Sequence, residues 1–167
     1  MGRLTMRTNN WKHKGEQIKA PLHYRECGLD DVYLVSGYEI VKTPYGKGVA
    51  VKNVDGLLRA IGRQLATEKK VLTGKELRFL RKQMDLTQAE LGHFVDLSSQ
   101  QVARWEKGEY EIPGAAETLV RQLFIEHIGG KLDLRDLLRQ LAEQAAPTKE
   151  GFLFENTAKG WHTKRAA

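Results

Sequence analysis

Four residues near position 100 have the types and spacing of a surface that reads the edges of DNA bases. If residues 98–107 form a helix, then Ser99, Gln100, Ala103 and Arg104 share the face opposite its apolar residues. A glutamine amide can pair with adenine through two hydrogen bonds, and an arginine can pair in the same way with O6 and N7 of guanine. We therefore predict that these four residues read bases in a major groove. The alternative is an ordinary solvated helix face, since Gln and Arg are common on surface helices.

Three residues at helix ends are predicted to contact the phosphate backbone instead of the bases. Lys107, near the end of the same helix, suits a phosphate oxygen as a point charge. Thr87 and Gln101 occupy helix-capping positions, so contact with phosphates is a secondary role for both. Such contacts fix where a helix lies on DNA but carry no sequence information.

The elements that must position these residues are three short helices, each with its own start signal. The signal is a capping box, in which a Ser or Thr hydroxyl accepts from the backbone N–H three residues on and a Glu or Gln side chain reaches back. The three boxes are Thr73 with Glu76, Thr87 with Glu90, and Ser98 with Gln101. Each is followed by apolar residues at helical spacing, which predicts three helices in close succession.

The apolar residues after the boxes are predicted to face a common core. They are Leu77, Leu80 and Met84 in the first helix, Leu91, Phe94 and Val95 in the second, and Val102 and Trp105 in the third. Only Asp96 and Leu97 link the last two helices, and a turn there remains accessible because Asp tolerates a positive φ better than most residues. Gly108 is expected to end the third helix as a left-handed C-cap, and Pro113 prevents its continuation.

Two runs of sequence resemble the lambda-repressor-like, XRE family of DNA-binding domains. They are L-R-x-L-R-x-x-x-x-L-T-Q-x-E-L, which begins at Leu77, and V-x-R-W-E-x-G, which begins at Val102. The resemblance implies a helix-turn-helix domain whose recognition helix touches base edges. The family has Gly in the turn between the two helices, and this chain departs from that pattern at Asp96.

The same resemblance implies roles for three more residues. Gln88 matches a glutamine with which the family grips a phosphate and braces the recognition helix. Arg81 and Glu106 match positions that form an ion pair between the first and third helices. Their expected role is therefore structural, because a bidentate pair would fix the orientation of the reader without touching a base.

Residues 31–53 consist of short β-rich runs separated by Gly and Pro. The runs are Val32–Val35, Tyr38–Val41 and Val49–Val51. This pattern predicts a three-stranded antiparallel meander, which is too small to be stable without a covering element. A helix over residues 55–68 is the expected cover, since it carries an apolar stripe of Leu57, Leu58, Ile61 and Leu65.

The predicted fold is mainly α and α+β overall: a five-helix, lambda-repressor-like helix-turn-helix domain preceded by a small β meander and a helix. The expected units are a mobile basic arm at 1–20, the meander and helix at 21–70, the DNA-binding domain at 71–146 and a C-terminal tail at 147–167. Two helices are predicted after the DNA reader, at 115–127 and 134–141. The tail contains Phe152, Phe154 and Trp161, so we expect it to pack on the domain or on a second subunit.

Composition favours a cytoplasmic protein, and the resemblance to the XRE family implies a bacterial or phage origin and association with the nucleoid when bound to DNA. The apolar fraction is 41% and the charged fraction 29%, which is typical of globular domains. No stretch approaches the roughly 18 apolar residues of a membrane span, and the N-terminus lacks an apolar signal core. The net charge is +6, and the surplus lies in residues 1–70 rather than in the predicted DNA reader.

Enzymatic and metal-binding functions are not expected. Cys27 is the single cysteine, and with His23 it could form a nucleophile–base pair or supply two metal ligands. A zinc site needs about four ligands, and the other histidines are scattered among different predicted elements. We therefore predict no catalytic residue, no metal site and no cofactor, with Cys27 as a small buried residue.

The leading hypothesis is a sequence-specific transcription regulator, most simply a homodimeric repressor on an inverted-repeat operator in double-stranded DNA. The main alternative is an antitoxin that neutralises a toxin protein and represses its own operon. A β-containing N-terminal unit joined to such a reader weakly resembles MqsA/HigA-type antitoxin regulators, although the zinc-binding CxxC pairs of the MqsA family are absent here. A regulator that senses a small molecule through its N-terminal unit is the third hypothesis.

Overall fold

The computed structural model describes residues 12–13, 16–17, 20–143 and 151–164 of the chain. The helices in this part are α1 Val54–Thr67, α2 Gly74–Gln83, α3 Gln88–Phe94, α4 Ser99–Lys107, α5 Gly114–His127 and α6 Leu134–Glu143. The strands are β1 Lys12–His13, β2 Glu16–Gln17, β3 Leu22–His23, β4 Val32–Leu34, β5 Tyr38–Thr43, β6 Gly46–Val51, β7 Phe152–Thr157 and β8 Gly160–Thr163. The α+β class predicted from the sequence agrees with this set of elements.

A four-stranded sheet in the order β3, β4, β7, β8 packs against α1. Strand β4 pairs antiparallel with β3 and parallel with β7, and β7 and β8 form an antiparallel hairpin. Val32 and Leu34 of β4 are completely buried, as is Phe154 of β7. The two inner strands therefore carry the apolar face that the helices cover.

The predicted three-stranded meander is wrong, because β4 does not pair with β5. Strands β5 and β6 form a separate antiparallel hairpin. Gly37 has a φ of 80° and turns the chain between β4 and β5. The Ser36 hydroxyl donates to Asn156 O at 3.3 Å and accepts from Asn156 N at 3.0 Å. The C-terminal strand β7 thus occupies the edge of β4 that a meander would have used.

Helix α1 presents the predicted apolar stripe to the core, which confirms the helix expected here. Leu57, Ile61 and Leu65 are at most 1% exposed. The helix begins after Asn53, whose side chain accepts from Gly56 N at 3.2 Å. Helix α1 contacts both α5 and α2. One core therefore includes residues from both sides of the boundary that was predicted at residue 70.

Arg121 is fully buried in α5 and binds the end of α1. Its Nη1 donates to Leu65 O at 2.7 Å and to Ala66 O at 3.1 Å. Its Nη2 donates to Lys69 O at 2.7 Å, and Glu117, one turn earlier in α5, accepts from both Nε and Nη2. The guanidinium therefore satisfies carbonyls that a helix C-terminus leaves without intrahelical partners.

Two predicted apolar faces differ from the structure. Phe94 was expected to face the core but is 52% exposed, because it is the last residue of α3 and Leu91 fills the buried position one turn earlier. In α6, Leu137 is buried while Leu134 and Leu138 are 44% and 47% exposed. Helix α6 therefore leaves part of its apolar stripe uncovered within the described residues.

The domain boundaries drawn from the sequence stay a prediction. The expected arm at 1–20 lies outside the described residues except for Ala20 and for β1 and β2, which pair with each other. The expected tail contributes β7 and β8 to the sheet, and Trp161 donates to Lys52 O and Asn53 O at 3.0 Å each. Among the described helices, none has the length and apolar character needed to cross a membrane.

We expect Arg121→Met to lower the free energy of unfolding by about 3–5 kcal/mol, because it leaves the Glu117 carboxylate and the α1 carbonyls without their donor. Chemical denaturation followed by circular dichroism measures the change. Arg139→Met is the matched control, since its ion pair with Asp136 is exposed and is expected to contribute about 1 kcal/mol or less. Equal small losses in the two variants would contradict a role for Arg121 in holding α1.

Candidate DNA-reading surface

Helices α2, α3 and α4 begin at the predicted caps. At α2 the box is complete: Thr73 Oγ1 accepts from Glu76 N at 3.3 Å, and Thr73 N donates to Glu76 Oε2 at 2.7 Å. The box at α3 has the same form, with Thr87 and Glu90 at 3.1 and 2.7 Å. At α4, Ser98 Oγ accepts from Gln101 N at 3.2 Å, but the return bond from the Gln101 side chain that was predicted is not formed there. The three helix starts therefore follow from local hydrogen bonds.

The cap at α3 depends on ionisation of Glu90. Hydrogen bonds from Thr87, first the backbone N–H, hold the pKa of the Glu90 carboxyl below its ordinary value. The cap therefore contributes stability above the ordinary pKa of a glutamate, and this contribution is lost as pH falls through the lowered pKa.

The turn between α3 and α4 is tight and has the predicted geometry. Asp96 has a φ of 56°, which confirms the positive φ expected where the XRE family has Gly. A Cβ built on Gly92 would lie 2.5 Å from Leu97 O, so glycine is required for this close approach. Gly108 ends α4 with a φ of 75°, which confirms the predicted left-handed cap.

The carboxylate of Glu106 joins α4 to both preceding helices. Arg81 in α2 donates from Nε to Glu106 Oε1 at 2.5 Å and from Nη2 to Oε2 at 3.0 Å. Gln88, the first residue of α3, donates from Nε2 to Glu106 Oε2 at 2.9 Å. The third nitrogen of Arg81, Nη1, donates to Leu86 O at 2.7 Å in the α2–α3 loop. These bonds fix the orientation of α4 relative to the other two helices.

The residues predicted to read bases lie together on the outer face of α4. Ser99, Gln100 and Arg104 are exposed and Ala103 is half-buried, whereas the apolar residues of the helix are buried against α2 and α3. The Arg104 guanidinium lies 5.8 Å from the centre of the Tyr110 ring, within the range of a cation–π contact. The face therefore combines a hydroxyl, an amide and a guanidinium, all open to solvent.

The residues predicted to contact phosphates are divided between this face and its border. Thr87 and Lys107 are exposed, at the start of α3 and the end of α4. Gln88 and Gln101 are half-buried, and the Gln88 amide is already engaged with Glu106. The structure thus gives Gln88 the bracing contact.

Tyr110 also belongs to this surface, and it was not among the residues predicted from the sequence. It lies beyond the Gly108 cap, so neither helical spacing nor the capping boxes relate it to Arg104. Because its ring is 57% exposed, it adds little to the core and instead supports the guanidinium from one side. The available signal in the sequence was an aromatic residue two positions after the glycine that ends the recognition helix.

His23 and Cys27 do not form a reactive pair in the structure. His23 Nε2 donates to Asp30 O at 2.6 Å, and its ring stacks on Tyr33 at 4.6 Å. The Cys27 thiol donates to Tyr24 O at 3.7 Å, and burial raises the pKa of this thiol. Within the described residues, no group of three or more His, Cys, Asp or Glu side chains is placed to hold a metal ion.

Comparison with known families supports the DNA-reading interpretation. Residues 77–115 match a family model described as helix-turn-helix, which covers most of α2 and all of α3 and α4. The XRE-like resemblance predicted for this segment is thereby confirmed, whereas the resemblance to MqsA/HigA-type regulators is not. No curated protein and no solved structure matches the chain.

The matched segment defines the general class as a DNA-binding regulator. Proteins of the helix-turn-helix family are typically non-enzymatic.

We expect Arg81→Ala and Glu106→Ala each to lower the free energy of unfolding by about 3 kcal/mol, because each leaves the partner charge buried and unpaired. The double variant should lose less than the sum of the two, with a coupling of about 1–3 kcal/mol. Thermal or chemical denaturation of the four proteins completes the cycle. Strict additivity would show that the two residues do not interact in solution.

Proposed function

We propose that the protein is a homodimeric, sequence-specific transcription repressor whose α4 helix reads an inverted-repeat operator in the major groove. Ser99, Gln100, Ala103 and Arg104 are the base-reading residues of this proposal. Thr87, Gln88, Gln101 and Lys107 contact the phosphates and set the position of α4. The proposed place of action is the nucleoid of a bacterial cell, for a chromosomal or a phage-encoded gene.

The observation that carries the proposal is the rigid presentation of the outer face of α4. The Glu106 bonds to Arg81 and Gln88 hold the back of the helix while its polar face remains free of contacts with the core. A side chain discriminates between bases only if its position is fixed, and a brace behind the helix supplies that condition.

Arg104→Ala and Lys107→Ala should have different effects on DNA binding. Arg104→Ala is expected to cost about 1–3 kcal/mol at the preferred site and to relax the preference at one base pair. Lys107→Ala should instead weaken binding to all sequences alike and reduce the slope of log K against log salt by about one unit. Selection of DNA ligands with the purified proteins, followed by titrations at several salt concentrations, measures both effects. An unchanged selected motif for Arg104→Ala would show that the assigned helix face is wrong.

Dimerisation is proposed because one helix reads too few base pairs for useful specificity. Two copies related by a twofold axis would place their α4 helices about 34 Å apart, and the operator would have the same symmetry. The aromatic residues of the C-terminal strands are engaged in the sheet of their own chain, whereas Leu134 and Leu138 of α6 are exposed. These two leucines are the proposed contact between copies.

We expect the wild-type chain to be a dimer at micromolar concentration and Leu138→Glu to be a monomer, because a carboxylate would be buried in an apolar interface. Light scattering of free protein and of the DNA complex gives the two masses. Val71→Glu is the matched control, since Val71 is 58% exposed and lies on no proposed interface. A wild-type chain that is monomeric both free and on DNA would contradict the dimeric repressor.

The antitoxin function remains the alternative to a simple repressor. It uses the same DNA-reading face and differs in assigning the exposed α6 leucines to a toxin protein. If Leu138→Glu remains a dimer, the result would favour the assignment of the α6 leucines to a toxin protein. Co-purification with the product of an adjacent gene would test that assignment.

A further inference from the structure

The β5–β6 hairpin, residues 38–51, extends beyond the packed core. At its base, Tyr38 and Val51 lie opposite each other and pack against the core cluster. Beyond that pair most of its residues are exposed, including Ile40 at 55%. The hairpin therefore presents a surface that the described part of the chain leaves uncovered.

The outer half of the hairpin concentrates positive charge. Lys42 and Lys47 are directly opposite in the antiparallel register, so both side chains project from the same face. Two like charges in this relation destabilise a hairpin. The nearby Lys52 has Glu39 as its partner at 3.3 Å, whereas no acidic side chain of the described residues pairs with Lys42 or Lys47. An external anion bound between Lys42 and Lys47 would reduce the repulsion between their charges.

The tip of the hairpin fixes an aromatic residue in solvent. Thr43 Oγ1 donates to Gly46 O at 2.8 Å and accepts from Tyr45 N at 3.3 Å, and Pro44 restricts the backbone between them. The turn is therefore ordered, yet the Tyr45 side chain is 99% exposed. An exposed aromatic residue in a turn that Lys42 and Lys47 flank has the chemistry of a contact with the sugar–phosphate backbone.

The hairpin is joined, through the first turns of α1, to the end of the DNA reader where α3 begins. Strand β6 leads into α1, and Arg59 of α1 lines the same cleft as Lys82 and Asp85, at and just beyond the end of α2. Two residues further along is Thr87, the cap of α3 and one of the proposed phosphate contacts. Both acidic and basic side chains line the cleft, so the cleft does not concentrate positive charge. The attraction for an anion therefore comes from the lysines of the hairpin.

We propose that the β5–β6 hairpin is a second DNA-binding element. Lys42 and Lys47 bind backbone phosphates beside the bases read by α4, and Tyr45 packs against the sugar–phosphate backbone. This inference rests on the proposed function, since it assigns the hairpin to the same DNA duplex. It adds a sequence-independent contact that lengthens the DNA footprint of each copy.

DNA suits this surface better than a protein partner does. Phosphates neutralise two adjacent lysines without removing them from water, whereas an apolar protein surface would have to desolvate them. The exposed apolar residues Ile40 and Val41 lie closer to the base than the lysine pair does, so the positive charge is in the outer half of the hairpin.

The test compares the full-length chain with Lys42→Gln/Lys47→Gln on two duplexes that contain the selected motif, one with long flanks and one trimmed to the motif. On the flanked duplex the affinity of the variant should fall about tenfold or more at low salt, and the salt slope should fall by about two units. On the trimmed duplex the two proteins should bind alike, and the selected base preferences should be identical.

Three further proteins make the result specific. Lys75→Gln/Arg78→Gln removes the same charge from the first half of α2 and should leave the salt slope within about half a unit of wild type. Lys42→Arg/Lys47→Arg should retain the slope, because each residue keeps its positive charge. Tyr45→Ala should weaken binding to the flanked duplex with an unchanged slope. Circular dichroism melting curves should coincide for the hairpin variants, since the changed side chains are exposed.

The possible outcomes distinguish a failure of the repressor proposal from a failure of the hairpin assignment. A wild-type chain that selects no motif would overturn the repressor proposal and this inference together. A wild-type chain that selects a motif, with a glutamine variant of unchanged slope on flanked DNA, would overturn the hairpin assignment alone. Loss of self-association in that variant with unchanged DNA binding would also overturn it, since the hairpin would then be a protein interface.

Discussion

The orientation of α4 depends on one carboxylate. Glu106 lies on the inner side of the helix and accepts from Arg81 in α2 and Gln88 in α3. Two charges taken out of water do not have to add net stability, but an ion pair of fixed bidentate geometry allows only one relative placement of the helices that carry it. The outer face of α4 is therefore not needed to hold the helix, because the bonds to α2 and α3 are on the other side.

The local features of the DNA reader could be predicted because their causes lie within a few residues. The capping hydroxyls, the left-handed Gly108 and the positive φ of Asp96 each follow from short-range stereochemistry. The sheet could not be predicted in the same way. Its central parallel pair joins β4 to β7, and Ser36 bonds to Asn156 across 120 positions. A local pattern of β-rich runs favoured the nearest partner, which the chain does not use.

The residues of the candidate site also differ in whether local sequence patterns predict them. Helical periodicity was sufficient to group Ser99, Gln100 and Arg104, because residues one turn apart share a face. The ring of Tyr110 under Arg104 depends on how the chain leaves the Gly108 cap, which no periodicity describes. In the hairpin, strand register rather than sequence distance reveals the opposition of Lys42 and Lys47. Relations of this kind appear only when the backbone path is known.

The parallel pairing of β4 with β7 has a consequence for the newly made chain. Helices α2, α3 and α4 depend on contacts close in sequence and can form while later residues are still being synthesised. Strand β4 keeps an open edge until residues 152–157 have left the ribosome. A chain terminated before that point would carry a formed DNA reader together with an unpaired strand edge and uncovered apolar residues. Proteases and chaperones recognise such surfaces, so truncated copies would be substrates for cellular quality control although their DNA reader is formed.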